Sequence, residues 1–195
     1  MNEEQIEPKI LVAEAHALLN AAWHTTDDKR YEKLISWARE IIEPLAMAEY
    51  APALWLKCSL PYDAELSNEE VNRLHREELE KAAEAGNPEA QFSLACELYE
   101  EPTLEKSAFL FKKAAEAGHA YAMWCHGLNL LSGRGIEKNE EEGLSFIQRS
   151  AELKFEGAVK FVADACANGT YGYHKNQEES ALWWKKLSDP HLIHY

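Results

Sequence analysis

The residues able to do chemistry are scattered, and none stands beside the partner it would need. The chain of 195 residues holds eight His and four Cys. Cys125 and His126 are adjacent, so on a helix they point to different sides, which is wrong for a thiol and its base. His191 and His194 stand three apart, but no Cys, Asp or third His follows at ligand spacing, so they predict no metal site. Gly133-Arg134-Gly135 lacks the Gly-Lys-Ser/Thr ending of a phosphate loop and reads as a turn. Glu77-Glu78 and Glu140-Glu141-Glu142 read as solvated helix faces and starts, where the helix dipole favours acids. With no nucleophilic Ser and no ordered His/Asp partner, the sequence predicts no catalysis, no cofactor and no metal.

Binding is the chemistry left. Trp55, Phe92 and Trp124 fall at one step of three successive units. Such a ladder could grip a peptide, but large rings at a fixed step fit core filling better.

The elements that position these residues follow a repeat. Lys112-Lys113-Ala114-Ala115-Glu116-Ala117-Gly118 echoes Glu80-Lys81-Ala82-Ala83-Glu84-Ala85-Gly86, 32 residues earlier. Gln148-Arg149-Ser150-Ala151-Glu152 follows 36 residues later. A period in the thirties marks stacked helix pairs. Helices are expected over residues 5–23 and again after Thr26-Asp27-Asp28, with Pro44 near the end of the second. The next pair begins near Ala53 and is interrupted by Pro61. Ser67 and Glu70 form a capping box, and Gly86 supplies a left-handed stop. Later pairs open at Ala90, Ala122 and Ala158. Their second helices are expected to be capped by Thr103, by Asn139 with Glu142, and by Asn176 with Glu179. Asp189-Pro190 ends the last helix. Ala95, Gly127 and Ala163 stand where helices must approach closely. Of Trp183 and Trp184, at most one can face inward, and the other is expected to be exposed or sheltered by Leu192-Ile193.

Charge narrows the partners. The net charge is −14. Residues 1–105 hold nine Lys/Arg against 23 Asp/Glu, while residues 106–195 hold 11 of each. That balance argues against a sequence-independent grip on nucleic acid or an anionic membrane surface, both of which need clustered cations. It suits a basic partner, or solubility alone. The acidic start, Met1-Asn2-Glu3-Glu4-Gln5, is no secretory signal, and no run of apolar residues is long enough to span a bilayer. A cytoplasmic protein with four buried free thiols is expected.

Several units in register carry a resemblance. The stretch 122–154 shows Ala122, Trp124, Gly127, Leu130, Gly133-Arg134-Gly135-Ile136, Asn139, Phe146 and Ser150-Ala151. The stretch 90–118 shows Ala90, Phe92, Leu94-Ala95, Leu98, Ala114-Ala115 and Gly118, without the Gly-x-Gly. The chain over about 50–188 resembles the Sel-one-like repeat family, a relative of the tetratricopeptide repeat. The resemblance implies an all-α, right-handed α/α superhelical solenoid of about five antiparallel helix pairs. One helical-repeat domain is expected over 1–195, with an atypical pair at 1–50, repeats at 51–188 and a tail at 189–195.

The resemblance further implies a non-catalytic adaptor for protein–protein contacts. Exported relatives and cysteine-rich, β-lactam-binding relatives exist, but no regular cysteine pair carries those properties over. In tetratricopeptide-like arrays the first helix of each pair lines the concave face. By that analogy Ser93, Glu97, Glu100, His126, Asn129, Lys160 and Asp164 would line a partner-binding groove. The partner is expected to be a protein, with a basic bacterial toxin or effector neutralised by this chain as the narrower alternative. A cell-wall or β-lactam-related enzyme is the third reading. Self-association through the last, Trp-bearing helix is a further expectation.

Overall fold

Ten helices occupy the described residues, which are 6–188 and 193 of the computed structural model. The acidic start Met1–Gln5, the Asp189-Pro190 stop, Leu192 and the His191/His194 pair lie outside them. Contacts divide the chain into two compact units, Met1–Ala90 and Gln91–Tyr195.

The first unit holds α1 (Pro8–Trp23), α2 (Asp28–Met47), α3 (Ala51–Lys57) and α4 (Asn68–Glu84). Pro8 opens α1, where a missing N–H costs nothing. Asp27 caps α2 by accepting from the Arg30 amide at 3.0 Å. The helix runs past Pro44 by three residues to Met47. Ala15, Leu19 and Ala22 of α1 close on Leu34, Ile35, Ala38 and Ile42 of α2, with Leu56 of α3 and Leu60 beyond it. The box at α4 is complete: the Glu70 amide donates to Ser67 Oγ at 3.3 Å, and the Ser67 amide donates to Glu70 Oε2 at 3.0 Å. Gly86 stops the chain at φ +91°, a conformation only Gly reaches cheaply.

The second unit holds most of α5 (Pro88–Glu97), then α6 (Leu104–Glu116), α7 (Ala120–Ser132), α8 (Glu140–Glu152), α9 (Glu156–Asn168) and α10 (Gln177–Lys186). Each first helix opens two residues before the Ala that marks its repeat. The core gathers Ile147 and Ala151 of α8, Phe155, Val159, Val162, Ala163 and Cys166, and Trp183 of α10. Burying each of Ile147, Val159 and Val162 contributes about 1.5–3 kcal/mol. Asn139 caps α8 through the Glu142 amide, 3.2 Å, and Asn176 caps α10 through the amides of Glu178 and Glu179, each 3.1 Å.

Thr103 does not cap α6. Its hydroxyl turns back and donates to the carbonyls of Leu98 and Glu100, both at 3.0 Å. The seam between α7 and α8 is drawn tight at Gly127 and Gly143. Two serines fasten helices across buried seams: Ser107 Oγ donates to the Ala95 carbonyl at 2.6 Å, and Ser150 Oγ to the Ala120 carbonyl at 2.7 Å. Trp183 faces inward and Trp184 is exposed. Ile193 pairs in parallel with Phe155: its amide donates to the Lys154 carbonyl at 2.9 Å, and its carbonyl accepts from the Glu156 amide at 3.0 Å.

Candidate functional site

The second unit presents a row of rings that crosses α5, α7 and α9. Phe92 of α5 lies 4.8 Å from Tyr121 of α7, and Tyr121 stacks on Phe155 at 4.7 Å. Phe155 meets Trp124 at 6.0 Å, Trp124 meets Phe161 of α9 edge-on at 5.8 Å, and Phe161 meets Tyr171 at 4.9 Å. Phe155 is buried; Phe92, Tyr121, Trp124 and Phe161 are half-buried; Tyr171 is exposed. Rings in this state fill part of a core and still offer a face or an edge to a partner. Of this row, the sequence pattern singles out only Phe92 and Trp124. Tyr121, Phe155, Phe161 and Tyr171 stand at different steps of their units, so periodicity alone does not connect them.

The polar residues expected to line a groove divide by exposure. Glu97 on α5, Glu100 just after it, and Lys160 and Asp164 on α9 are all exposed, and Ser93 is half-buried. Lys160 is engaged by Glu156 one turn earlier. His126 and Asn129 do not join them: both are fully buried, at 0 % and 1 % exposure. Their side chains turn into the helix packing, because their faces of α7 meet neighbouring helices. The Asn129 oxygen is taken by the Tyr99 hydroxyl at 2.8 Å, and the Arg134 guanidinium lies over the Tyr99 ring at 4.2 Å. The register of the repeats carries the signal for His126, since Leu94 and Val162 stand at the equivalent step.

The thiols are free, as expected, but only Cys166 is fully buried; Cys96 is exposed. None is activated. Burial pushes the Cys125 thiol up to about 12, with Cys96 adding to the effect. Burial also pushes Cys58 up to about 11, aided by the Glu78 carboxylate. A thiol in that range carries almost no thiolate near neutrality. No group of three metal-ligating side chains occurs among the described residues, and no described helix is long and apolar enough to cross a membrane.

The first unit has a cavity of about 450 Å³ between α2, α3, α4 and the α3–α4 loop. Tyr62 donates to Glu78 at 2.7 Å, Lys57 pairs with the same carboxylate at 3.2 Å, and Arg39 donates to the Pro61 carbonyl at 3.0 Å. Burial, followed by the bond to Glu78, holds the Tyr62 hydroxyl above its ordinary range. The charges neutralise one another locally, and the neighbouring Cys58 thiol is held protonated by burial and by the Glu78 carboxylate. Nothing local in the sequence joins Arg39 to Glu78, which are 39 residues apart.

Solved structures share this arrangement of helices. A Sel1 repeat protein from Oxalobacter formigenes is similar at a TM-score of 0.63 and 19 % identity, over 90 % of this chain and 71 % of that one. A protective antigen present in uropathogenic Escherichia coli strains, c5321, displaying an SLR fold, is similar at 0.64 and 20 % identity, over 93 % of this chain. This chain spans 38 % of that antigen's length. No family model matches the sequence. Helix pairing, the register of small residues and these likenesses converge: the chain has the all-α solenoid fold of Sel1-like repeat proteins.

Proposed function

We propose that this protein is a non-catalytic interaction module that binds another protein across α5, α7 and α9. Sel1-like folds serve generally as protein-interaction scaffolds, and this reading rests on that likeness for its class. The observation that carries it is the ring row from Phe92 to Tyr171, half-buried along α5, α7 and α9 and ending at exposed Tyr171, in a unit whose α5 and α9 also carry the exposed acids Glu97 and Asp164. Aromatic anchors rimmed by charge supply the burial and the orientation that a protein contact needs. A partner carrying Lys or Arg beside apolar side chains fits this face, and the net charge of −14 would speed its approach at low salt.

The test is capture from the native cell at low and high salt, analysed by mass spectrometry. Wild type is compared with Tyr171→Ala and with the double reversal Glu100→Lys, Asp164→Lys, each first shown to unfold at the wild-type temperature. A basic protein held by wild type at low salt, shed at high salt and lost by both variants is the expected result. A partner retained equally by both variants overturns the assignment of this face.

A further inference from the structure

Four residues beyond the Ala that marks each repeat, the pattern calls for an apolar side chain. Leu94 follows Ala90 and Val162 follows Ala158, but His126 follows Ala122. All three are buried, at 3 %, 0 % and 0 % exposure. One repeat therefore carries an imidazole where its neighbours carry aliphatic groups.

That imidazole is poorly provided for. A neutral ring has one N–H to donate and one nitrogen that accepts. Neither Nδ1 nor Nε2 of His126 finds a hydrogen-bond partner among the described residues. Its ring neighbour is Phe146 of α8, met edge-to-face with centroids 4.8 Å apart. One turn on, the Asn129 amide nitrogen is likewise unpartnered, although its oxygen is held by Tyr99. An imidazolium here would bring two unsatisfied N–H donors and a full charge into a site that water does not reach.

The charged groups facing the ring come from both flanking helices. Lys112 and Glu116 of α6 pair with each other at 3.9 Å, and Glu142 stands on α8. Burial is the largest influence and disfavours the proton, as does Lys112; Glu142 and Glu116 favour it. The balance leaves the imidazole below its ordinary value of 6.5.

We propose that His126 is an acid-sensitive trigger: when it takes a proton it leaves its seat between α6, α7 and α8, and the packing of the second unit opens. The sign follows from linkage. Well above pH 6.5 the ring is neutral in folded and unfolded chains, and pH has no effect through it. As pH falls below that value, the unfolded chain accepts a proton that the folded core refuses, so stability is lost. At pH 5 the unfolding equilibrium shifts by at most about 30-fold through this one group, relative to pH 7.5.

Denaturant unfolding of the full chain at pH 7.5 and 5.0, for wild type, His126→Leu and His126→Gln, tests this. His126→Leu installs the residue type that Leu94 represents, so it should fold. Other titrating groups are common to all three proteins and cancel in the comparison. The expected result is that the wild-type unfolding equilibrium moves more than twofold further than that of either variant between the two pH values, up to the ceiling of about 30-fold. Parallel pH profiles, within twofold, overturn the proposal. Nuclear magnetic resonance of the ring protons gives a second readout that does not depend on the variants. A His126 resonance that stays neutral until the chain unfolds supports the trigger; one that titrates near 6.5 in the folded protein overturns it.

Discussion

Gly127 of α7 and Gly143 of α8 face each other so closely that neither position has room for a methyl group. A Cβ on Gly127 would stand 2.8 Å from the Gly143 carbonyl oxygen and 2.7 Å from Ile147 Cγ1. A Cβ on Gly143 would stand 2.8 Å from the Gly127 oxygen. The two carbonyl oxygens are backbone atoms, so those contacts cannot be relieved by a side chain swinging aside. Gly127→Ala and Gly143→Ala should each cost about 1–3 kcal/mol by overpacking. Urea unfolding checks this, and a midpoint equal to wild type would mean that the helices separate without penalty.

Ala114 makes the same kind of prediction on α6. It is fully buried, at 0 % exposure. Ala114→Leu adds three carbons where none fit and should destabilise by about 1–3 kcal/mol. Ala117→Leu, at an exposed position just past the end of the same helix, is the control and should leave the thermal midpoint nearly unmoved.

The box at the start of α4 should be measurable too. Ser67→Ala removes the acceptor for the Glu70 amide and the hydroxyl that donates to Glu70 Oε2 at 2.7 Å. The expected loss is about 0.5–2 kcal/mol. Those bonds also hold the Glu70 carboxyl below its usual range. Its stabilisation is therefore present above the ordinary carboxylate pKa and fades as pH falls through the lowered value. The stability difference between wild type and Ser67→Ala should shrink in acid; a constant difference would separate the cap from the titration.

Thiol labelling should sort the four cysteines by access. Cys96 is exposed, while Cys125, pushed up to about 12, and buried Cys166 have little thiolate to offer. A disulfide-exchange reagent at pH 8 should give one fast phase, abolished by Cys96→Ser, and all four thiols only after denaturation. A fast phase that survives Cys96→Ser would contradict the restricted access of half-buried Cys58 and Cys125 and buried Cys166.

Local signals were readable from the chain alone. The Ser67–Glu70 box, the Asn139 and Asn176 caps, the Gly86 stop and the turn at Gly133 each depend on residues within a few positions of one another. Thr103 shows where local reasoning fails, because its hydroxyl finds two carbonyls behind it before it finds an amide ahead. His126 and Asn129 show a second failure. Polarity suggests an outer face, but the packing of α7 against its neighbours leaves those positions no solvent. Gly143 was invisible as a contact, since only the crossing of α7 and α8 gives its missing side chain a purpose. The ring row depends on distances across three helices, and no spacing along the chain encodes those.

The pairing of Ile193 with Phe155 bears on how the molecule is best handled. The Glu156 amide belongs to the first turn of α9, where backbone donors have no acceptor within the helix, and Ile193 supplies one from beyond α10. Trimming the chain before Ile193 would strip that amide of its acceptor and bare the flank of Phe155. Shortened versions of the protein should therefore retain Ile193 and its two backbone bonds to the entry of α9.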